Sequence, residues 1–401
     1  MPVSSTDLIH HDYVAPSGFK APQPGIFKAS TVFFPSVSAM RQFEWKDKSA
    51  YTYGLHGTPT SYTLEERLCT LEGGFQCLLV PSGLAAIANV SLALLNSGDE
   101  VLIPDNVYGP NKALAQGELM HWGISHQFYD ALNPRDLAAK ITPKTRLVWL
   151  EAAGSVTLEF PDLIAQVRIC KAAGVLCALD NTWGAGLAFA PFDLQPGAKM
   201  PLAVDISIHA LTKYPNGGGD VLMGSVITRS EALHMQLKLC HMRLGLGVAA
   251  NDMESVLRGL SSIKLRYTAH DEATRALAHW CQTRPEFAQV LHPALANSPG
   301  HRHWQVLCGG GPGTAAGLFS VIFKPDYSQA QVDAFCDGLK LFEIGYSWGG
   351  PVSLVMPYNL ASMRAGWPAH LAHGTLVRFS IGLEAVDDLR ADLAAALHLL
   401  A

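Results

Sequence analysis

Between about residues 61 and 250, short apolar, β-prone runs alternate with stretches of helical period, and few folds accommodate that pattern. The strand-like runs are "CLLV" (77–80), "EVLIP" (100–104), "RLVWLE" (146–151), "VLCALD" (175–180) and "VDISIHA" (204–210). "DLAAKI" (136–141) and "FPDLIAQVRICKAAG" (160–174) read as helices between them, the second stopped by Gly174. Parallel strands need long crossover connections, usually helical. The alternation therefore predicts an α/β fold whose mostly parallel central sheet carries helices on both faces.

The flanks read differently. Residues 1–60 are rich in Pro, Ser and aromatic residues without steady period, and are expected to form an extended arm. Near Asn251 a long helical pattern begins, with Glu254 three residues on as in a capping box. The strand-like "AGLFSVIF" and "TLVRFSIGL" and the helix "AVDDLRADLAAALHLL" then predict a smaller C-terminal α+β domain. The expected division is an arm over 1–60, a large α/β domain over 61–255 and a smaller domain over 256–401.

Composition removes several classes of function. Apolar residues make up 49% of the 401 and charged ones 16%, which suits a large buried core rather than disorder. A net charge of −5 with no basic block gives no footprint for nucleic acid. The eight cysteines include no C-x-x-C pair, so neither a metal site nor a redox motif is indicated. Reduced thiols and the lack of a signal-peptide pattern predict a cytoplasmic protein. Gly73 to Gly98 carries no formal charge, approaching the length of a membrane span. However, Pro81, Ser82 and Gly83 cut it into a strand and the helix "LAAIANVSLALL", so no membrane association is expected.

Ligands of open parallel sheets sit beyond the carboxyl ends of the strands. Asp180 ends "VLCALD", Lys213 follows "VDISIHA", and Ser82-Gly83 follow "CLLV" at a helix start, where free amides and the dipole favour an anion. Taken singly, each has a plainer reading: a turn aspartate, a snorkelling lysine, an ordinary cap. At successive strand ends they form a set. A phosphate cradle, a strand-end lysine able to form a Schiff base and an acid for a ring nitrogen together suggest pyridoxal 5'-phosphate. The glycines of "NGGGD" (216–220) let backbone approach a bulky group.

"ALDNTW", "ALTKY" and "YTYGLHGTPT…LEERLCTLEGG" make the chain resemble the Cys/Met-metabolism group of pyridoxal-phosphate (PLP) enzymes, of aspartate-aminotransferase fold type I. The likeness runs from about residue 25 to the C-terminus. "YSWGG" (346–350) and "GTLVRFSIGLE" (374–384) resemble the carbon–sulfur β-lyases of that group. The resemblance implies that Lys213 carries the cofactor and moves protons, that Asp180 meets the ring nitrogen, and that Tyr108 stacks on the ring and helps activate the substrate amine. It further implies that Ser82, the amides of Gly83 and Leu84 and the Thr212 hydroxyl hold the phosphate. By the same likeness Tyr53 reaches the phosphate and substrate of a neighbouring subunit, within a homotetramer built from catalytic dimers. Arg378 would grip the substrate α-carboxylate, with Ser347 and Trp348 lining the substrate side. The residues themselves leave the anion partner of Arg378 open between a structural carboxylate and substrate.

The implied reaction is α,β-elimination of an amino-acid thioether. Cystathionine, for example, would yield homocysteine, pyruvate and ammonia. The alternatives are a general cysteine-S-conjugate β-lyase or desulfhydrase, a γ-lyase or γ-synthase of the same group, and a PLP-binding regulator without turnover. Three positions depart from the pattern. Leu55 stands where "YGR" relatives have arginine, Ala210 where serine is common, and "GGPVSL" where "GGxESL" is usual. Smaller signals carry plainer expectations: His301 and His303 in a solvated loop, and His209 with a backbone partner.

Overall fold

The computed structural model describes residues 3–11, 13–46 and 48–400. Residues 1, 2, 12 and 47 of the expected arm, and 401 of the expected C-terminal domain, lie outside them. A seven-stranded sheet is built from β1 (Gln76–Val80), β2 (Glu100–Pro104), β3 (Ser125–Tyr129), β4 (Thr145–Glu151), β5 (Leu176–Asp180), β6 (Ile206–Ala210) and β7 (Gly224–Thr228). Its order is β1-β7-β6-β5-β4-β2-β3. The run β6-β5-β4-β2-β3 is parallel, and β7 is antiparallel to both neighbours. The strands are near-continuous apolar runs because both faces are covered, as parallel sheets require. On one face Ile87 and Val90 of the helix Gly83–Leu94 pack with Ile206, Ile208 and Val226. On the other, Leu64, Leu68 and Leu71 of the helix Pro59–Glu72 share a core with Leu179 and Leu211.

A second, five-stranded sheet is ordered β10-β11-β12-β9-β8. Its members are β8 (Phe287–Leu291), β9 (Leu318–Phe323), β10 (Glu343–Ile344), β11 (Leu354–Tyr358) and β12 (Leu376–Ser380). Phe319, Phe335 and Phe379 centre its core, with Phe319 stacked on Phe379 at 4.9 Å. No helix among the described residues is long and apolar enough to cross a membrane.

Several expectations need correction. β3 ("SHQFY") and β7 ("GSVIT") have no strong apolar signal. β3 is a half-exposed edge, and β7 is led by a glycine. The helix after Asn251 has no capping box. It begins at Ala250, with Ala249 at its cap and no side-chain cap bond. What fixes it is the buried stripe Met253, Val256, Leu257 and Leu260. The pattern then splits into two helices, Ala250–Leu260 and Ile263–Gln282. The arm carries short helices, Ser5–Ile9 and Val37–Gln42. His301 and His303 lie on a helix, His301–Cys308, rather than in a loop; His301 Nδ1 meets Pro293 O at 2.8 Å. No group of His, Cys, Asp and Glu able to hold a metal occurs among the described residues.

Candidate active site

The sheet order reverses direction at the β2/β4 junction. β3 lies beyond β2 on one side, whereas β5 and β6 follow β4 on the other. Such a switch point leaves a crevice at the strand ends. Tyr108, just after β2, and Glu151, the last residue of β4, face each other across it, the Tyr108 N–H donating to Glu151 Oε2 at 2.9 Å. One strand further on, Asp180 ends β5 in register with Glu151, and its partner on β6 is Ile208. Lys213 follows β6 by three residues.

Small residues bring the phosphate-type cradle to the same place. Ser82 caps the helix Gly83–Leu94, its Oγ accepting from Ala85 N at 3.0 Å. That leaves the first amides and the Ser82 hydroxyl proton available to an anion. A Cβ on Gly83 would lie 2.7 Å from the Ala210 Cβ, and one on Gly224 2.4 Å from Ser82 O. Gly83, Ala210 and Gly224 therefore permit an approach that larger residues would block, which gives the Ala210 departure a packing reason. Thr212 Oγ1 accepts from Met223 N at 3.3 Å, and its own donation to Met223 O, at 3.5 Å, is at the limit of a hydrogen bond. Its proton is thus weakly committed.

The smaller sheet supplies the opposite wall. Lys213 Nζ donates to Ser347 Oγ at 2.6 Å and lies 5.4 Å from the Trp348 ring centre. Ser347 has φ +99°, a strained conformation of the kind found at functional sites. A Cβ on Gly349 would sit 3.1 Å from Tyr214 N, so this loop rests directly on the backbone beside the lysine. Tyr214, edge-on to Trp348 at 5.6 Å, accepts from Gly317 N at 2.6 Å and ties the lysine segment to β9's approach. Arg378, in β12, is 8% exposed. Its Nη2 donates to Ser347 O at 3.3 Å, while Nε is buried without a partner. No described carboxylate pairs with it, so the structural-carboxylate alternative does not hold among the described residues.

The electrostatics follow from these placements. Burial, and then the nearby Arg378 charge, pull the Lys213 amine down to about 8 against the opposing attraction of Asp180. Burial pushes the Asp180 carboxyl up, opposed by its bonds to Thr182 and by His209. The Glu151 carboxyl is raised well above its usual range by burial and then by Asp180. Burial also raises Tyr108, as do the two neighbouring carboxylates. Here are a buried-edge acid lacking a cation and a buried cation lacking an anion. Beside them stand an amine brought within reach of neutrality and free amides at a helix start. That donor set fits PLP: Asp180 for a protonated ring nitrogen, Lys213 for the aldehyde, Ser82, Gly83, Leu84 and Thr212 for the phosphate.

Tyr53 lies elsewhere. It pairs with Thr31 in an isolated bridge and, with Leu55 and His56, lines a separate cavity of about 360 Å³ that also touches Lys238 and His241. It is 45% exposed, and nothing connects it to Lys213 of its own chain. His56 is bound to Thr52 Oγ1 at 2.6 Å and stacked on Trp45.

Sequence reasoning missed several residues. Glu151 obeys the same strand-end rule that found Asp180, and the quoted "RLVWLE" already contained it. His209 is fully buried, but its partner is no backbone group. Its Nδ1 meets Glu72 Oε1 at 2.8 Å, and Glu72 also accepts from Ser207 Oγ and from Asn181 Nδ2 (3.3 Å). Tyr358, whose ring centre is 5.2 Å from the Arg378 guanidinium carbon, carried no local signal.

Comparison with known proteins gives a consistent result. The sequence model of the family described as Cys/Met metabolism PLP-dependent enzyme matches residues 5–398. Cystathionine beta-lyase of Bordetella avium is 38% identical over 376 residues, covering 92% of this chain and 90% of that protein. Cystathionine beta-lyase of Salmonella typhimurium is 35% identical over 377 residues, covering 92% of each. Among solved structures, cystathionine gamma synthase from Xanthomonas oryzae pv. oryzae, in complex with aminoacrylate and cysteine, superimposes with TM-score 0.86. It is 29% identical, covering 100% of this chain and 99% of that one.

Proposed function

This chain belongs to the Cys/Met-metabolism PLP-dependent enzymes, and from that membership we propose that it is a carbon–sulfur lyase acting as a cystathionine β-lyase, in methionine biosynthesis. The reaction converts cystathionine and water to homocysteine, pyruvate and ammonia. The observation that carries this reading is the convergence of Lys213, held by Ser347, with the anion-free Arg378 at one crevice.

PLP, when bound, supplies the aldehyde that captures the substrate amine and the electron sink for the charge left at Cα. The chain's residues do the rest. Lys213 would bind the aldehyde at rest, opposite Asp180. With its amine near 8, Lys213 is neutral often enough at physiological pH to take the Cα proton. The Ser347 hydroxyl fixes the direction of Nζ. Arg378 would pair with the substrate α-carboxylate through its unspent donors, setting which Cα bond faces the lysine. Tyr108, tied to Glu151 through its backbone N–H, would cover the cofactor ring and help activate the incoming amine by accepting a hydrogen bond at its hydroxyl. Trp348 closes the wall behind Nζ and limits water there.

We further propose the division into an arm over 1–60, a cofactor-binding domain over 61–255 and a smaller domain over 256–401, acting in the cytoplasm as a homotetramer of catalytic dimers. Exposed apolar side chains on the arm, Val14 at 95% and Phe33 at 92%, are what a second copy would cover. Tyr53, exposed on the same arm, would then reach the phosphate and substrate of the neighbouring subunit. Holoenzyme incubated with cystathionine is expected to release pyruvate. Release of 2-oxobutyrate overturns the β assignment in favour of a γ-lyase.

A further inference from the structure

Arg378 has five N–H donors and almost no exposure; one reaches Ser347 O, the Tyr358 hydroxyl offers a second contact, and Nε has no partner. A cation held that way needs something to keep it in place while its anion is absent. Its cross-strand neighbourhood supplies it. In the antiparallel pair β11/β12, Met356 stands opposite Arg378 and Tyr358 opposite Leu376. Tyr358 is therefore the diagonal, same-face neighbour of Arg378. Its ring centre lies 5.2 Å from the guanidinium carbon, within cation–π range. The ring is itself held, because Tyr358 packs against the apolar cluster that contains Val156, Ile322, Leu360 and Leu376. Among the described residues, Tyr358 alone sets its ring against this guanidinium.

We infer that Tyr358 is a positioning residue that seats the Arg378 guanidinium by its ring, leaving the arginine's free donors turned toward the substrate α-carboxylate. The inference rests on the carboxylate role proposed for Arg378. Arginine is rich in rotamers, and its planar head binds a carboxylate well only when its plane is preset. A seat of this kind raises affinity for carboxylate-bearing amines and leaves the chemistry at Cα unchanged. It thereby sharpens selection for amino acids over simple amines.

The test uses holoenzyme with S-ethyl-L-cysteine and with the amine obtained by removing its carboxyl group. Half-saturation is read from the near-visible absorbance of the bound cofactor, and KM and kcat from pyruvate release. Tyr358→Leu is expected to raise KM and half-saturation for S-ethyl-L-cysteine roughly tenfold. It should keep kcat within about twofold and leave binding of the decarboxylated amine unchanged. Tyr358→Phe, which keeps the ring, should stay within about threefold of wild type. Tyr358→Met keeps the bulk without the ring, and is held to the same outcomes should the leucine variant not fold. Equal shifts for both ligands, no shift for either, or a loss confined to kcat overturns the seat. Arg378→Met separates the two layers of argument. If it abolishes discrimination between the ligands while Tyr358→Leu does not, only the seat fails. If it too leaves discrimination intact, the carboxylate role of Arg378 fails with it.

Discussion

Two groups of charged residues, both at the junction of the two sheets, are wired in opposite ways. In the first, Glu159 is almost fully buried and every oxygen is used. It accepts from Arg364, from His370 Nε2 at 2.5 Å, from Asn106 Nδ2 at 2.7 Å and from Thr157 Oγ1 at 2.8 Å. Arg364 also reaches Asp105 at 3.3 Å, so the loop before Tyr108, the segment 157–159 and the stretch around 364–370 are clamped together. In the second, Arg378 is buried and Lys213 and Asp180 largely so, yet no ion pair joins them, and Arg378 keeps an orphaned Nε. The first cluster is saturated; the second holds charge in reserve. Buried ions are stable when paired and costly when not, so unpaired ones mark where a ligand is to arrive.

The sharpest way to break this comparison is to remove one arginine from each group. Arg364→Met strands Glu159 and should cost about 3–5 kcal/mol of unfolding free energy in urea titration. Arg378→Met removes an unpaired ion and should cost little or nothing, while raising KM. Equal destabilisation by the two would erase the distinction.

Acid gives the next largest effect. Burial alone would raise the Glu159 carboxyl, but His370, Arg364 and Asn106 outweigh it and hold it at about 2. A carboxylate depressed in the fold stabilises above its unfolded value of 4.5, and that stability is lost as pH falls from there toward 2. Glu159→Gln should therefore lose about 3 kcal/mol at neutral pH and show a flatter acid-denaturation curve than wild type. An unchanged curve would argue that Glu159 is not ionised in the fold.

The smallest effect has the opposite sign. Lys213 sits at about 8 in the fold against an ordinary lysine value of 10.5, so the unfolded chain binds the extra proton between those limits. The folded state is thus penalised below 8, and the penalty fades as pH rises to 10.5. In cofactor-free protein Lys213→Met should raise stability at pH 7 by about 2 kcal/mol, after screening at its partly exposed surface is allowed for. The gain should shrink in thermal melts recorded above pH 8. A loss at neutral pH would mean that the amine is paired in a way the geometry does not contain.

The two groups also differ in how far the sequence revealed them. Lys213, Asp180 and Ser82-Gly83 are legible because each follows an apolar run whose direction in a parallel sheet decides which end faces the crevice. Arg378 is legible as a lone cation in "LVRFSI". The saturated cluster is not, since Glu159 and Arg364 are 205 residues apart; the separate Glu72–His209 pair, 137 apart, is hidden for the same reason. Such pairings depend on the order in which strands are laid side by side, which no local period encodes. Tyr358 needed the β11/β12 register. The missed strands β3 and β7 show the same limit, because partners rather than composition make them strands.

The contact between Lys213 and Ser347 joins an amine anchored to one sheet with a hydroxyl delivered by the other. A sliding of one layer past its neighbour would break that bond and also change the burial of Nζ and its distance from Arg378, the two influences that lower its hold on a proton. The proton affinity at position 213 is consequently a mechanical reading of how firmly the layers are docked. Substitutions far away, anywhere along the seam, should register in the titration of that single nitrogen before they register in the shape of the molecule.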